Sequence, residues 1–370
     1  MPRIGIVGGG VIGWSCAHHL LELEPRADVT VFERLPSAGQ GSTGRAAGGV
    51  RAQFSTPINI ALSQYSIQKF ETMPEIGFRQ LGYLFVTASE ARAESLRSIA
   101  DLQKQHGVEV ELLDRTEISA FAPYLFSDDL LAGAFAKKDG FLDPFAVCTW
   151  FEKSARSGGA RARNGVEVVA IDAHTIQTAD DSSGWDCVIV AAGHQTSALL
   201  DLPIKPEVHQ LALTEPIAGL PNDLPMVVDL DTSFHFRREG NGLLIGFDDH
   251  SLAHPQNESS HPPAFDPKFL ERLAEPSLHR LPLLSEARFD ARKCWAGFYA
   301  QTPDHHAVIG SLNGVVTASG FGGHGIMHSP AAGRASAEIV LRGRCETFDL
   351  HPLRPTRFQE DDLIVERMVI

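Results

Sequence analysis

The five cysteines, Cys16, Cys148, Cys187, Cys294 and Cys345, stand far apart in 370 residues and form no Cys-x-x-Cys pair. That argues against a disulfide framework and a structural zinc site, and for reduced, mostly buried thiols. Positive charge is also short: 32 Lys and Arg face 46 Asp and Glu, a formal net charge of -14. Nucleic-acid binding needs clustered cations to neutralise phosphates, so no nucleic-acid partner is expected. Nor does any basic run suit an anionic membrane surface. No apolar stretch approaches the roughly 20 residues that span a bilayer. The N-terminal apolar run breaks into glycines after a few residues, unlike a secretory signal. A cytoplasmic protein without a membrane span is the expectation. Histidines occur in suggestive pairs, His305-His306 and His324 with His328. A metal pair four residues apart needs a regular helix and a third ligand, and Gly323 and Gly325 flank His324, so no metal site is expected.

What is present is ample core material, 43% hydrophobic residues, enough for two domains or one domain interrupted by another. Arg3 to Val7 reads as a buried parallel strand, Val11 to Leu23 as a helix, and Asp28 to Glu33 as a second strand. Between the first two lies Gly8-Gly9-Gly10-Val11-Ile12-Gly13, a Gly-x-Gly-x-x-Gly turn. Glu33 follows Gly13 by twenty residues, where a carboxylate can accept hydrogen bonds from a ribose. Strand, turn, helix and acid-ended strand together form a dinucleotide-binding unit. The segment from Gly39 to Gly49 carries five glycines and lets backbone approach a ligand closely.

Further along, Gly82 to Val86 reads as a strand, Ala91 to His106 as an amphipathic helix, and Leu112 to Ile118 as strand into helix. A helix from Pro144 to Ser157 precedes two strands of buried type, Gly165 to Ile171 and Trp185 to Gly193. Pro206 to Pro216 and Ser233 to Phe247 alternate as strands. A Pro/His/Ser-rich loop from Ala253 to Pro267 leads to a helix around Phe269 to Ala274. Ala307 to Gly310, Gly314 to Gly320 and an Ala/Gly-rich helix from Ser329 to Leu341 close the pattern. Nucleotide-type segments thus occur at the start, middle and end. The expected fold is mixed α/β: a Rossmann-like unit from residues 1–76, 141–205 and 291–350, a substrate domain with a mixed antiparallel sheet from 77–140 and 206–290, and a tail, 351–370.

Four stretches carry a family resemblance: the N-terminal unit, Gly41-Ser42 through Arg51, Thr302-Pro-Asp304 with Ile309-Gly310, and Gly320-Phe-Gly-Gly-His-Gly-Ile-Met-His-Ser-Pro330. They resemble the FAD-dependent amine and amino-acid oxidoreductases of the D-amino-acid oxidase type. The likeness is nearest to sarcosine oxidases and the related flavin-bearing β subunits, including those of proline dehydrogenases. The resemblance implies FAD rather than NAD. It implies that Gly8, Gly10 and Gly13, with Val11 and Ile12 at the helix start, hold the pyrophosphate, and that Glu33 holds the adenosine ribose. Arg34, Gly41, Ser42, Val168, Ala192 and Gly193 would complete the adenine and ribityl surroundings. Gly297, Gly323, His324, Gly325, Ile326 and Met327 would pass near the isoalloxazine, with the helix from Ser329 aiming its positive end at reduced flavin. Arg51 matches a guanidinium that grips a substrate carboxylate, with Arg237 and Arg238 as weaker candidates. His324 and Tyr299 would tune flavin or substrate by hydrogen bonding.

Departures from the resemblance matter equally. Where monomeric sarcosine oxidases attach flavin through a cysteine, this chain has Gly297, and Cys294 lies three residues early, so FAD is expected to be noncovalent. A substrate-binding lysine falls at Met327, an oxygen-activating lysine at Leu244, and a pocket histidine at Asp248. The resemblance implies oxidation of a C–N bond in a secondary amine or amino acid, N-methyl or cyclic, by hydride transfer to flavin N5, giving an imine that hydrolyses. Oxygen or another acceptor would take the electrons. Alternatives are a dehydrogenase subunit passing electrons to a partner, which an apolar patch near Ile364 to Ile370 could receive, a D-amino-acid or glycine oxidase, and a flavin-binding tRNA-modification or assembly-factor module.

Overall fold

A computed structural model describes residues 1–248 and 262–368. Its first layer is a six-stranded sheet in the order Val308–Leu312, Val315–Ser319, Cys187–Val190, Arg3–Val7, Asp28–Glu33, Arg161–Asn164. All neighbours run parallel except the first pair. Ile4, Ile6, Val29, Val31 and Ile189 are fully buried, which is why these segments read as unbroken apolar runs. Helices Val11–Leu23, Pro144–Ser157 and Ser329–Arg342 pack together beside this sheet. The first and last cross closely: a Cβ at Gly333 would lie 2.2 Å from Ser15 Oγ, and that hydroxyl donates to Ser329 O at 2.7 Å.

The second layer is an eight-stranded sheet, Trp295–Gln301, Lys205–Leu213, Gly242–Gly246, His235–Glu239, Met226–Asp229, Tyr83–Thr87, Ala132–Ala136, Val110–Leu113. Side chains alternate as the pleat requires. Leu84, Val86, Val227, Phe236, Leu243 and Ile245 face a core with Phe269 and Leu273 of the helix Phe269–Arg280. Tyr83, Phe85, Met226 and Val228 join the other core, shared with the nucleotide-type layer.

Three expectations differ. The strand Trp295–Gln301 lies within the expected nucleotide-binding segment 291–350 yet pairs along Lys205–Leu213, so the 290/291 boundary cuts through one sheet. Gly165 to Ile171 is not a buried strand: only Val168–Ile171 is strand, in a small antiparallel sheet with Thr175–Thr178 and Ser182–Gly184. Val169 there is 52% exposed, because apolar composition alone does not distinguish a core strand from a small partly exposed sheet. The tail does not present one continuous apolar patch from Ile364 onward. Leu363 and Val365 are exposed, but Glu366 and Met368 are buried. Glu366 accepts hydrogen bonds from Ser55 N (2.7 Å), Ser55 Oγ (2.6 Å), Thr56 Oγ1 (2.9 Å) and Asn59 Nδ2 (3.0 Å). Residues 369–370, and the 253–261 part of the expected Pro/His/Ser-rich loop, lie outside the described residues. Among the described residues no helix is long and apolar enough to cross a membrane.

The last helix is anchored by a buried acid. Burial alone would raise the Glu338 pKa, but Thr347 Oγ1 (2.8 Å), Glu346 N (2.7 Å), Thr347 N (2.9 Å) and Arg334 Nε (2.8 Å) all donate to it and hold it down to about 2. A carboxylate depressed on folding stabilises above its unfolded pKa, and that stability is lost as pH falls through the folded value. Acid titration of unfolding should therefore show a loss between about pH 4.5 and about pH 2 that Glu338→Gln removes in part. Parallel acid profiles for the two proteins would show that the bonds do not act this way.

Candidate active site

The glycine turn explains its own composition. A Cβ on Gly13 would lie 1.9 Å from Gly8 O, and one on Gly8, whose φ is +109°, would lie 2.3 Å from Ala191 O. Strand, turn and helix therefore touch backbone to backbone. The helix Val11–Leu23 begins at an extended Gly10 with no side-chain cap. Its start, with Gly8, Val11 and Ile12, opens into a cavity of about 590 Å³, within the size range of cofactor and ligand pockets. Val11 N donates to Thr43 Oγ1 at 3.1 Å, which ties the glycine-rich segment to that helix end.

The cavity runs between the two sheets. At one end Glu33 accepts from Gly9 N and Leu35 N, both at 2.7 Å, and a carboxylate so held retains lone pairs for further donors. Arg34, Val166 and Val168 line the same wall, with Gly41, Ser42, Ala192 and Gly193 further in. A Cβ at Gly193 would meet open space. Ser42 Oγ donates to Phe298 O at 2.7 Å, joining the glycine-rich segment to the eight-stranded sheet. The lining ends at Gly297, Phe298 and Tyr299 on one side and Phe321, Gly323, Gly325 and Ile326 on the other. Gly323 packs so closely that a Cβ would lie 2.8 Å from the Tyr299 ring.

Over this end the sheet offers rings. His209 stacks on Tyr299 with centroids 3.7 Å apart, and His235 lines the same cavity. Burial pushes the Tyr299 phenol up to about 12, with Asp248 adding and Arg51 opposing. Burial also lowers His235 to about 4. At neutral pH Tyr299 and His235 are uncharged.

The chain matches the DAO family, described as FAD dependent oxidoreductase, over residues 3–339. It belongs to that family. It is 29% identical to FAD-dependent oxidoreductase domain-containing protein 1 of Xenopus laevis, covering 99% of this chain and 84% of that protein. It is 28% identical to human mitochondrial dimethylglycine dehydrogenase over 95% of this chain but 44% of that protein. The crystal structure of L-proline dehydrogenase from P. horikoshii superposes with a TM-score of 0.89 at 26% identity, covering 98% and 99% of the two chains.

As an FAD-dependent oxidoreductase the molecule has a cavity that fits its cofactor. A helix start whose Gly10 supplies no side-chain cap suits a pyrophosphate, a fixed carboxylate suits a ribose, and the end walled by Phe298, Tyr299, Phe321 and Ile326 suits a flat ring. Gly8, Gly10, Val11, Ile12, Glu33, Arg34, Gly41, Ser42, Val168, Ala192, Gly193, Gly297, Tyr299, Gly323, Gly325 and Ile326 all line it. Gly13, Met327, His324 and Arg51 do not. Gly13 acts one layer back, through its contact with Gly8 O. Met327 is 5% exposed within the core. His324 packs edge-on to Phe54 at 4.9 Å, and burial with nearby Arg51 holds its pKa well below the usual imidazole value.

Arg51 stands behind the cavity end. Its guanidinium lies over Phe54, 4.0 Å from the ring centre, and donates to Gln53 O and Met368 O. Among the described residues its buried Nε has no hydrogen-bond partner. The loop is pinned by Asp139, which accepts from Ala52 N (2.9 Å) and Gln53 Nε2 (3.2 Å). Burial raises Asp139 to about 7 against those bonds. Arg237 and Arg238 are not in the cavity wall. Arg237 Nε donates to Ala47 O at 2.5 Å and Nη1 to Glu239, and Arg238 Nη1 donates to Leu220 O and Pro221 O at 2.8 Å.

The histidine pairs are bonded to protein: His306 Nε2 to Thr56 Oγ1 at 3.0 Å, and His328 Nε2 to Ser63 Oγ at 2.9 Å. His18, His19 and Glu22 bring ligand-type atoms within 4.8 Å of one another, but Nδ1 of each imidazole already bonds to Ser154 Oγ or Ser15 O. Sequence reasoning missed His209, His235, Thr43 and Arg45 in the lining. Only strand register, which one sequence does not carry, shows that His209 and Tyr299 meet.

Proposed function

We propose that this FAD-dependent oxidoreductase oxidises the C–N bond of a secondary amine or amino acid, N-methyl or cyclic. The observation that supports the reading most is the cavity end lined by uncharged Tyr299 and His235, with His209 stacked on Tyr299, together with Gly323 and Gly325, and with the Arg51 guanidinium behind. A cationic neighbour beyond an end that holds an uncharged phenol and imidazole suits a substrate with a carboxylate and a neutral nitrogen. Bound FAD supplies the two-electron acceptor. The chain's own part is orientation and exclusion of water, while Arg51 draws the carboxylate and the phenol of Tyr299 stays protonated as a donor. Gly297 offers no thiol, which favours noncovalent cofactor. The named activities of dimethylglycine dehydrogenase and L-proline dehydrogenase, both on N-alkylated or cyclic amino acids, agree with this class.

Anaerobic mixing with a panel of N-methyl, cyclic and D-amino acids tests the reading. N-alkyl or cyclic amino acids should bleach the flavin fastest; faster bleaching by D-alanine or glycine would place the enzyme in another substrate class. A dehydrogenase is favoured over an oxidase by Leu244, an apolar side chain 2% exposed in the strand Gly242–Gly246, where the resemblance places an oxygen-activating cation. After photoreduction, admitted air should reoxidise the flavin over many minutes; reoxidation within seconds would favour the oxidase.

A further inference from the structure

His235 sits in the cavity wall in a fixed tautomer. Its Nδ1 lies 2.9 Å from Ser233 O. A carbonyl only accepts, so Nδ1 carries the hydrogen and Nε2 is left as a bare acceptor. The turn that presents the carbonyl is specific: Ser233 has a φ of +57°, and its hydroxyl accepts from Asp248 N at 2.8 Å. Across the sheet His235 is in register with Gly246. A Cβ on Gly246 would lie 2.6 Å from His235 Nε2, so the absent side chain makes the room that the imidazole occupies. The charged and titratable neighbours are His209 and Asp248, of which His209 opposes and Asp248 favours a proton on the ring, with burial outweighing both.

We propose that His235 selects substrates by an N–H: Nε2 accepts a hydrogen bond from the substrate nitrogen, so a secondary amine is preferred over its N,N-dialkylated counterpart. This rests on the amine reading above. A secondary amine in its neutral, reactive form keeps one N–H for Nε2. A neutral tertiary amine has none and sets a lone pair against that of the imidazole, leaving a buried acceptor without a partner. No proton is transferred in the recognition step, and the imidazole stays uncharged.

The test uses the FAD-loaded protein and two pairs of probes, N-methylglycine with N,N-dimethylglycine, and proline with N-methylproline. Anaerobic flavin reduction is measured for wild type, His235→Phe and His235→Gln. Wild type should favour the secondary member of whichever pair it accepts by about tenfold or more, the factor associated with one well-placed hydrogen bond. His235→Phe should bring that ratio close to one, and His235→Gln, which keeps an acceptor oxygen, should restore most of it. Bound flavin absorbance reports whether each variant is folded; if the Phe variant is not, His235→Leu takes its place. Equal ratios in all proteins that reduce their flavin would overturn the assignment of His235 while leaving the amine reading intact. Failure of every amine to reduce the wild-type flavin would overturn both.

Discussion

Gly13→Ala should leave the purified protein nearly without FAD. The new methyl carbon would lie 1.9 Å from Gly8 O, a contact between backbone and Cβ that no rotamer change relieves. Gly8 cannot retreat, because its own Cα is wedged against Ala191 O, where a Cβ would stand 2.3 Å away. The helix Val11–Leu23 must then move off the strand Arg3–Val7, and the helix start that faces the cavity moves with it. Overpacking of this kind costs about 1–3 kcal/mol where neighbours can yield. Here they are backbone, so FAD affinity should fall by roughly a hundredfold or more. Gly10→Ala differs in kind: within the protein its Cβ would meet only Thr43 Oγ1 at 3.2 Å, so the helix stays in place, and any loss of FAD there comes from the cavity side, where the backbone must approach the pyrophosphate. Flavin absorbance per mole of purified protein decides the matter, and full occupancy in Gly13→Ala would show that the helix does not hold the cofactor in this way.

Arg357→Met should be the most destabilising change outside the cavity. Arg357 and Asp304 are both fully buried. The guanidinium donates Nε to Asp304 Oδ2 at 2.8 Å and Nη2 to Oδ1 at 3.0 Å. It also reaches His306 O at 3.0 Å and Leu353 O at 3.1 Å. Removing one partner leaves an uncompensated buried charge, a loss of about 3–5 kcal/mol. Asp304→Asn combined with Arg357→Met should recover part of it, because the stranded carboxylate is gone. Denaturant unfolding of the three variants measures both effects, and an additive double variant would show that the two residues do not act as a pair.

The cofactor turn was legible in the sequence because its chemistry is local. Gly8 to Gly13, the flanking strands and Glu33 fall within one short segment, and each residue type is required by a contact within it or one strand away. The string Gly320 to Pro330 was legible for the same reason, since consecutive residues supply Phe321, Gly323, Gly325 and Ile326 to the cavity. The roof was not. Tyr299, His209 and His235 come from strands far apart in sequence, and their meeting depends on register, Tyr299 opposite Glu207 and His235 opposite Gly246. A shift of one residue would turn each to the other face. Arg51 shows the opposite difficulty. Its position along the chain was read from a local string, but its bond to Met368 O comes from the far end of the molecule.

The chain order of the cavity wall sets a timetable for the nascent protein. Gly8 and Glu33 leave the ribosome first, yet Phe321, Gly323 and Ile326, which close the other end, are made some 300 residues later. At about 5–20 residues per second, that interval lasts roughly 15–60 s. During it the glycine turn exists without the walls that shut over FAD. Closure of this cavity over FAD therefore has to wait for the segment Phe321 to Ile326, and bound cofactor then ties together stretches made some 300 residues apart.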